Sequence, residues 1–334
     1  MEFPAKAIFA FNANIDHLRA AEGSDVEKID RAFPKIASQI SESFAWGMQR
    51  EMQINAHECE FFLTNFKYET IVGGQAGNAA EQASTLGVEC YLHTNFANEK
   101  LFSLFSHPEK IMVAGPRGFM PAGSSQSAAA SAHHFVFENK ENRTRFIASY
   151  DPFPIHPDDS FGSELEKILP GVPKAFVSGL HLVKTPERAR KFVQEIKKWK
   201  EINPKLRVFF EMGEFQSREA LKAVQDELFP MVDMVGMNEN ELGSLGAELE
   251  ELAEKANSVL FHTAEESRVL PVGKTNAAAL EFARRCAGFF AEYGRRATPQ
   301  DLVGYESKFN DSPVRTVGLG DTLSCAYFMA CANI

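Results

Sequence analysis

The stretch IVGGQAGNAAEQASTLGVECYLH, residues 71–93, changes pattern three times. Apolar residues run into Gly73-Gly74. An Ala-rich segment, Gln75 to Leu86, follows and is stopped by Gly87, and Val88 to His93 is apolar again. Gly just past a helix is its usual C-terminal stop. A strand, a glycine turn, a helix and a second strand in this order is the unit of α/β architecture.

Working outward, the same alternation recurs. Ala7 to Phe11 reads as a buried strand followed by the loop NANID, and Phe61 to Val72 as a strand entering the glycine turn. Val26 to Gln49 has helical spacing that Pro34 must break. Beyond Pro170 the order is strand Ala175–Val177, helix Pro186–Trp199, strand Leu206–Glu211, helix Arg218–Phe229, strand Met231–Gly236. Strand Val259–His262, helix Asn276–Tyr293 and a last helix after Gly320 complete it. Strands separated by crossover helices are parallel. His134–Glu138 and Arg145–Ser149 read as two strands joined by NKEN, whereas 106–131, rich in Pro, Gly and small residues, reads as loops and short edge strands. The expected organisation is a large α/β domain of residues 1–18, 71–94 and 150–334, with lid segments 19–70 and 95–149.

Composition excludes several classes. The 334 residues carry 35 Lys plus Arg against 45 Asp plus Glu, a net charge of −10. A nucleic-acid or membrane-surface binder normally shows a basic excess, so neither partner is expected. The five cysteines are odd in number, scattered and without CxxC spacing, which reads as free thiols in a reducing, cytoplasmic compartment. No apolar run approaches a membrane span. HExxH, GxSxG and GxGxxG are missing, and VGKT at 272–275 is a false P-loop because its first glycine falls on Arg268. KKWK (197–200) reads as a solvated helix end, and His57 with Cys59 as incidental.

The residues with chemistry fall at expected strand ends, where open α/β sheets bind ligands. In TVGLGDTLSCAYF (316–328), Gly318, Leu319 and Gly320 open a helix with Asp321 in its first turn. Free amides and the helix dipole there favour an anion, and an Asp beside them can accept a proton from an attacking hydroxyl; an ordinary N-capping Asp is the alternative. Gly74 and Gln75 can present backbone and amide to a polar ligand. GMNENEL (236–242) spaces Asn238 and Glu241 to hold a hydrated Mg²⁺ or to form a capping box. Glu211 ends an apolar strand where a carboxylate can support the same metal water. Asn14 and Asp16 in FNANID are able to hold sugar hydroxyls.

GGQAGN, NENE (238–241) and GLGD in that order resemble the ribokinase-like superfamily. With FNANID, HFVFE (134–138), RFIASYD (145–151) and FHT (261–263), the chain is more narrowly similar to the ADP-dependent glucokinase and phosphofructokinase family. The resemblance implies a ribokinase-like three-layer α/β/α domain with a smaller β-containing lid. It implies an AMP-forming sugar kinase that moves the β-phosphoryl group of ADP to a hexose hydroxyl, with Mg²⁺. Asp321 is then the catalytic base and the amides of Gly318 to Asp321 the anion hole. Asn238, Glu241 and Glu211 organise Mg²⁺ through water, and His262 and Thr263 lie near the nucleotide. Asn14, Asp16, Gly74, Gln75 and His134 hold the sugar. Glu69, resembling an acidic residue that glucokinase-type members place on a sugar hydroxyl, favours glucose; an exposed strand residue is its other reading. Phosphofructokinase or dual activity, with Lys184 and Arg145 serving a sugar phosphate, is the close alternative. An ATP-dependent sugar or nucleoside kinase and a non-catalytic binder stand further off. Two departures are visible: Phe209-Phe210-Glu211 replaces the usual His-x-Glu, and the chain is short for the family, stopping soon after the GLGD helix.

Overall fold

A computed structural model describes residues 1–94, 98–115, 117–125, 130–141, 144–152, 161–308, 310 and 313–331. In chain order the strands are β1 (Lys6–Ala10), β2 (Asn14–Ala20), β3 (Arg50–Gln53), β4 (Glu69–Gly73) and β5 (Glu89–Leu92). Then come β6 (Ile111–Gly115), β7 (Gly118–Pro121), β8 (His133–Asn139), β9 (Thr144–Tyr150) and β10 (Lys174–Val177). The last four are β11 (Arg207–Glu211), β12 (Met234–Met237), β13 (Val259–His262) and β14 (Ser267–Leu270).

Nine of them form one sheet in the order β14-β13-β12-β11-β10-β1-β5-β6-β7. Every pairing is parallel except the two outermost pairs, β13/β14 and β6/β7. Strands such as Ala175-Phe176-Val177 are apolar on both faces, so the sheet must be covered twice. Helices Gln75–Thr85, Ala277–Tyr293 and Leu319–Ala330 pack one face. Pro186–Ile202, Arg218–Glu227 and Leu249–Lys255 pack the other. The result is three layers, α/β/α, with the strand order reversing around β1.

The other five strands form a second sheet, β3-β9-β8-β2-β4. One face is covered by helices Gly23–Ala32, Pro34–Trp46 and Ala56–Asn65 over Phe135, Phe137 and Phe146. The opposite face carries Leu18, Val136, Ile71 and Ile147, and against these packs Val317, from the segment leading into the GLGD turn. Two further ties join the same places: Arg315 to Glu69, and Thr316 Oγ1 to Glu138 Oε1 at 2.6 Å.

Three local expectations differ from the structure. NANID is not a loop, because Asn14 already begins β2 and pairs with Gly73. Phe61 does not start a strand. Asn55 caps a helix there, accepting from the amides of His57 and Glu58 while Glu58 reaches back, and the strand begins at Glu69. Residues 111–115 and 118–121, placed by the sequence in the smaller unit, are β6 and β7, antiparallel to each other on the edge of the large sheet, because Ile111 and Met112 continue the ladder from Cys90 and Tyr91.

Candidate active site

The glycine turns meet at the carboxyl end of the large sheet. Gly74 sits at φ 74, and a Cβ there would lie 2.6 Å from Asn14 Oδ1 and 2.8 Å from the Asn12 carbonyl, so only glycine fits. Asn12 ties the junction: its Oδ1 accepts from Ser178 Oγ at 2.8 Å and from the Ala76 amide at 3.3 Å. Gln75 reaches across to donate to the Met212 carbonyl, leaving its buried Oε1 without a partner.

Helix Leu319–Ala330 starts from Gly318 at φ 80 and carries Asp321 in its first turn. Asn78, the last residue of GGQAGN, donates through Nδ2 to Asp321 Oδ2 at 2.9 Å. The Oδ1 of Asn78 accepts in turn from buried Arg296 at 2.9 Å. Burial, reinforced by the charge of Glu211, raises the Asp321 carboxyl from 3.8 to about 6. Gly320 lies flat on His262: a Cβ would stand 2.7 Å from its Cε1.

Next to Asp321 is a group of acids. Glu211, at the end of β11, is 3% exposed, and its Oε2 has no hydrogen-bond partner. His262 Nε2 lies 3.2 Å from Glu211 Oε1, and that hydrogen bond and charge keep the ring's pKa raised although burial opposes it. Glu241 is pushed up to about 8, mainly by burial and then by Glu211. The capping box is real: Asn238 Oδ1 accepts from the Asn240 and Glu241 amides, and Glu241 Oε2 accepts from the Asn238 amide at 2.9 Å. Asn238 therefore spends its side-chain oxygen on its own helix. Thr263 Oγ1 likewise accepts from the amides of Glu265 and Glu266 and shapes the β13–β14 turn.

The open face of the five-stranded sheet supplies the second half. Asn14 donates to Asp16 Oδ1 at 2.5 Å. Burial raises Asp16 to about 6 against the opposing pull of His134 and Asn14. His134 Nε2 meets Asp151 Oδ1 at 3.2 Å; burial opposes the charge on the ring, but Asp151, together with Glu51 and Asp16, raises it to about 9. Glu51 and Arg145 act on the same groups, and Arg145 also feels Asp321. Arg145 donates its Nε to Gln49. From the large sheet, His181 joins this set beyond β10, its pKa lowered by burial within the fields of Glu51, His134 and Asp151. Its buried Nδ1 has no partner.

Of the residues expected from sequence, Asp321, Gly318, Leu319, Gly320, Glu211, Glu241 and His262 come together, as do Asn14, Asp16, Gly74 and His134. Glu69 does not join them. It lies four residues up β4 from Gly73, ~13 Å at strand rise, exposed and paired with Arg315. Asn78, Glu51, Asp151, His181 and Arg296 were not singled out. Asn78 and Asp151 lie inside quoted motifs, where their letters were available. Glu51, His181 and Arg296 sit in no motif and are recruited only by folding.

A glycine turn at a helix N-terminus, with a carboxyl raised by burial beside it, is an arrangement suited to phosphoryl transfer. Residues 5–283 match the conserved region described as ADP-specific Phosphofructokinase/Glucokinase, and the chain belongs to that family of ADP-dependent sugar kinases. Among solved structures it is similar to a hypothetical ADP-dependent phosphofructokinase from Pyrococcus horikoshii OT3, with TM-score 0.77, 20% identity and 98% of both chains covered. It is similar to an ADP-dependent kinase in complex with fructose-6-phosphate and ADPβS, with TM-score 0.74, 18% identity, and 97% of this chain and 93% of that one covered. A reconstructed last common ancestor of ADP-dependent phosphofructokinases from Methanosarcinales gives 0.73 at 18% identity, covering 98% and 93%. At these identities the likeness is one of fold. No curated protein matches. Among the described residues no helix is long and apolar enough to cross a membrane.

Proposed function

We propose that the protein transfers the β-phosphoryl group of ADP to a hexose hydroxyl, releasing AMP, with Asp321 as the base. The observation that carries this is the placement of a carboxyl in the first turn of the helix that opens at Gly318, held by Asn78 at 2.9 Å and raised by burial to about 6. The hydroxyl oxygen attacks phosphorus, its proton passes to Asp321, and the bond to the AMP oxygen breaks. The transition state is loose, so positioning and electrostatics supply most of the acceleration. Amides of the Gly318–Asp321 turn supply donors where negative charge develops.

Mg²⁺ fits the acid group. Glu211 keeps a buried oxygen without a partner, and Glu241 is pushed up first by burial and then by the charge of Glu211; a divalent cation relieves the second of these. Glu211 and Glu241 would be the holders, through water, since among the described residues no cluster of three or more His, Cys, Asp or Glu side chains is arranged to hold a metal ion directly. When bound, the ion neutralises phosphate charge. Asn238 contributes by fixing Glu241. His262 stacks under Gly320 on the nucleotide side, and Thr263 shapes the adjoining turn.

Asn14, Asp16, Gln75 and His134, with Asp151 and Glu51, form the acceptor face. Its carboxylates outnumber its cations, which supports a neutral hexose such as glucose. The reading that rested on Glu69 has no support from its position. Arg145 favours a second reading, fructose 6-phosphate, because a half-buried guanidinium on this face can partner a phosphate. The test crosses ADP and ATP with glucose, fructose 6-phosphate and nucleosides while AMP is followed. Sugar-dependent AMP formation from ADP is the expected result. Transfer from ATP alone, or from no donor, refutes the proposal.

A further inference from the structure

We propose that Arg296 is a positioning residue for phosphoryl transfer: it acts through Asn78 on Asp321 and through the Gly318 carbonyl on the glycine turn. This rests on Asp321 being the base. Arg296 is 7% exposed, and its guanidinium lies 3.7 Å from the ring centre of Phe290. One arm of the fork, Nη2, donates to Asn78 Oδ1 at 2.9 Å, and the other, Nη1, donates to the Gly318 carbonyl at 3.0 Å.

Each bond fixes something the reaction needs. An amide side chain presents an acceptor at one end and donors at the other, and guanidinium can only donate. Arg296 therefore holds the oxygen of Asn78, so the NH₂ end must face Asp321, as it does at 2.9 Å. The flipped amide would set oxygen against carboxylate. At the turn, the peptide unit is planar and trans, so holding the Gly318 carbonyl toward Arg296 turns the Leu319 N–H to the opposite side. The Thr322 amide, at 3.0 Å, and its Oγ1, at 2.5 Å, hold the same carbonyl. Two acceptors at a fixed separation suit a fork; an ammonium is a single point of charge.

The other groups acting on Asp321 are Glu211 from β11, His262 from β13, Glu241 from the NENE helix and Arg145 from β9. None of them touches Asn78 or Gly318 by a hydrogen bond, so the route through Arg296 is separable. Burial lowers the guanidinium to about 10, which leaves it charged across the working range.

The experiment compares Arg296→Lys, Arg296→Met, Asn78→Ala and the Arg296→Met/Asn78→Ala pair in sugar-dependent AMP formation from pH 5 to 9. Expected are a fall in kcat of ~10- to 100-fold with KM values within about threefold, and an acid limb of kcat/KM moved up by about half a pH unit or more. The double variant should lose less than the product of the two single losses, because the Asn78 route is shared while the Gly318 route belongs to Arg296 alone. Free guanidinium should restore part of the kcat of Arg296→Met. An unshifted limb with additive losses makes Arg296 a packing residue and overturns the inference. If Arg296→Met does not fold, Arg296→Lys and Asn78→Ala decide it by the same limb. Asp321→Asn is run beside them: retained turnover there refutes the base itself, whereas a dead Asp321→Asn with an unshifted Arg296 limb refutes only this inference.

Discussion

Replacing Asp321 by Asn separates what the turn does for chemistry from what it costs the fold. Burial and Glu211 raise the carboxyl from 3.8 to about 6. Two pKa units correspond to about 3 kcal/mol, and partial solvent access reduces this to roughly 1–2 kcal/mol. The folded state binds this proton more tightly than the unfolded chain does. The ionised carboxylate is therefore destabilising above pH 6, and the penalty disappears as pH falls through 6 toward 3.8. An amide at 321 keeps the volume, still accepts from Asn78 Nδ2, and carries no charge. In ligand-free protein at pH 8, Asp321→Asn should raise the unfolding free energy by about 1–2 kcal/mol, read as a higher denaturant midpoint at unchanged slope. The advantage should shrink below pH 6 and be lost near pH 4. The same variant should lose at least ~10²-fold in AMP formation. A variant less stable than the parent at pH 8, or a stability gap that ignores pH, refutes the charge argument.

The wild-type enzyme should show an acid limb of kcat/KM near pH 6, where Asp321 ionises; a flat profile from pH 5 to 7 counts against it. Glu241→Gln keeps an acceptor for the Asn238 amide but removes the charge, so the Mg²⁺ needed for half-maximal rate should rise ~10-fold or more, and an unchanged titration refutes its role. Gly320→Ala puts a Cβ 2.7 Å from His262 Cε1 and should lower kcat ~10²-fold by displacing the turn, with wild-type turnover as the refuting result. Val317→Asp buries a charge among Leu18, Val136 and Ile71. It should cost roughly 1–3 kcal/mol and also lower kcat, because the same segment enters the turn; lost stability with intact kcat would uncouple the two.

The large sheet was legible because its strands are apolar runs separated by helices with caps and glycine stops, all local signals. The carboxyl end of that sheet was legible only in part: NENE directly follows β12, whereas GGQAG follows β4 of the smaller sheet and GLGD follows a segment that is not a strand. The smaller sheet was legible only in part: the strands expected at 134–138 and 145–149 are β8 and β9, but β2 was not read. β2 pairs with β4 and β8, from residues far along the chain, so its start at Asn14 depends on long-range partners that no window contains. The β6/β7 pair has the composition of a loop and gains its place by extending a ladder. Glu69 shows the opposite failure: nearness in sequence to GGQAG does not survive the rise of a strand. His181 and Arg296 show why motif reading stops short, since each is set by burial and by partners from other elements. His181 is accommodated because Gly213 carries no side chain; a Cβ there would overlap the ring.

The composition of the last helix explains why its two ends are served differently. From Thr322 onward LGDTLSCAYFMA is buried, so water does not serve its carboxyl end and the unpaired carbonyls there need partners, whereas Gly318 to Asp321 are half-buried. At the carboxyl end buried Lys174 supplies them, donating to the carbonyls of Phe328 and Cys331, with the charge sign that the helix dipole favours there. At the amino end Arg296 takes the preceding Gly318 carbonyl, but cations cannot serve N–H groups, and the first-turn amides remain donors in want of an anion. Asp321 is too acidic a neighbour to be neutral and too buried to be comfortably charged, which leaves its turn suited to a ligand that brings phosphate for the amides and a proton for the carboxylate. In the proposed reaction a chain with net charge −10 would meet a polyanion through oriented backbone amides, with Arg296 holding the turn that presents them, rather than through a basic surface.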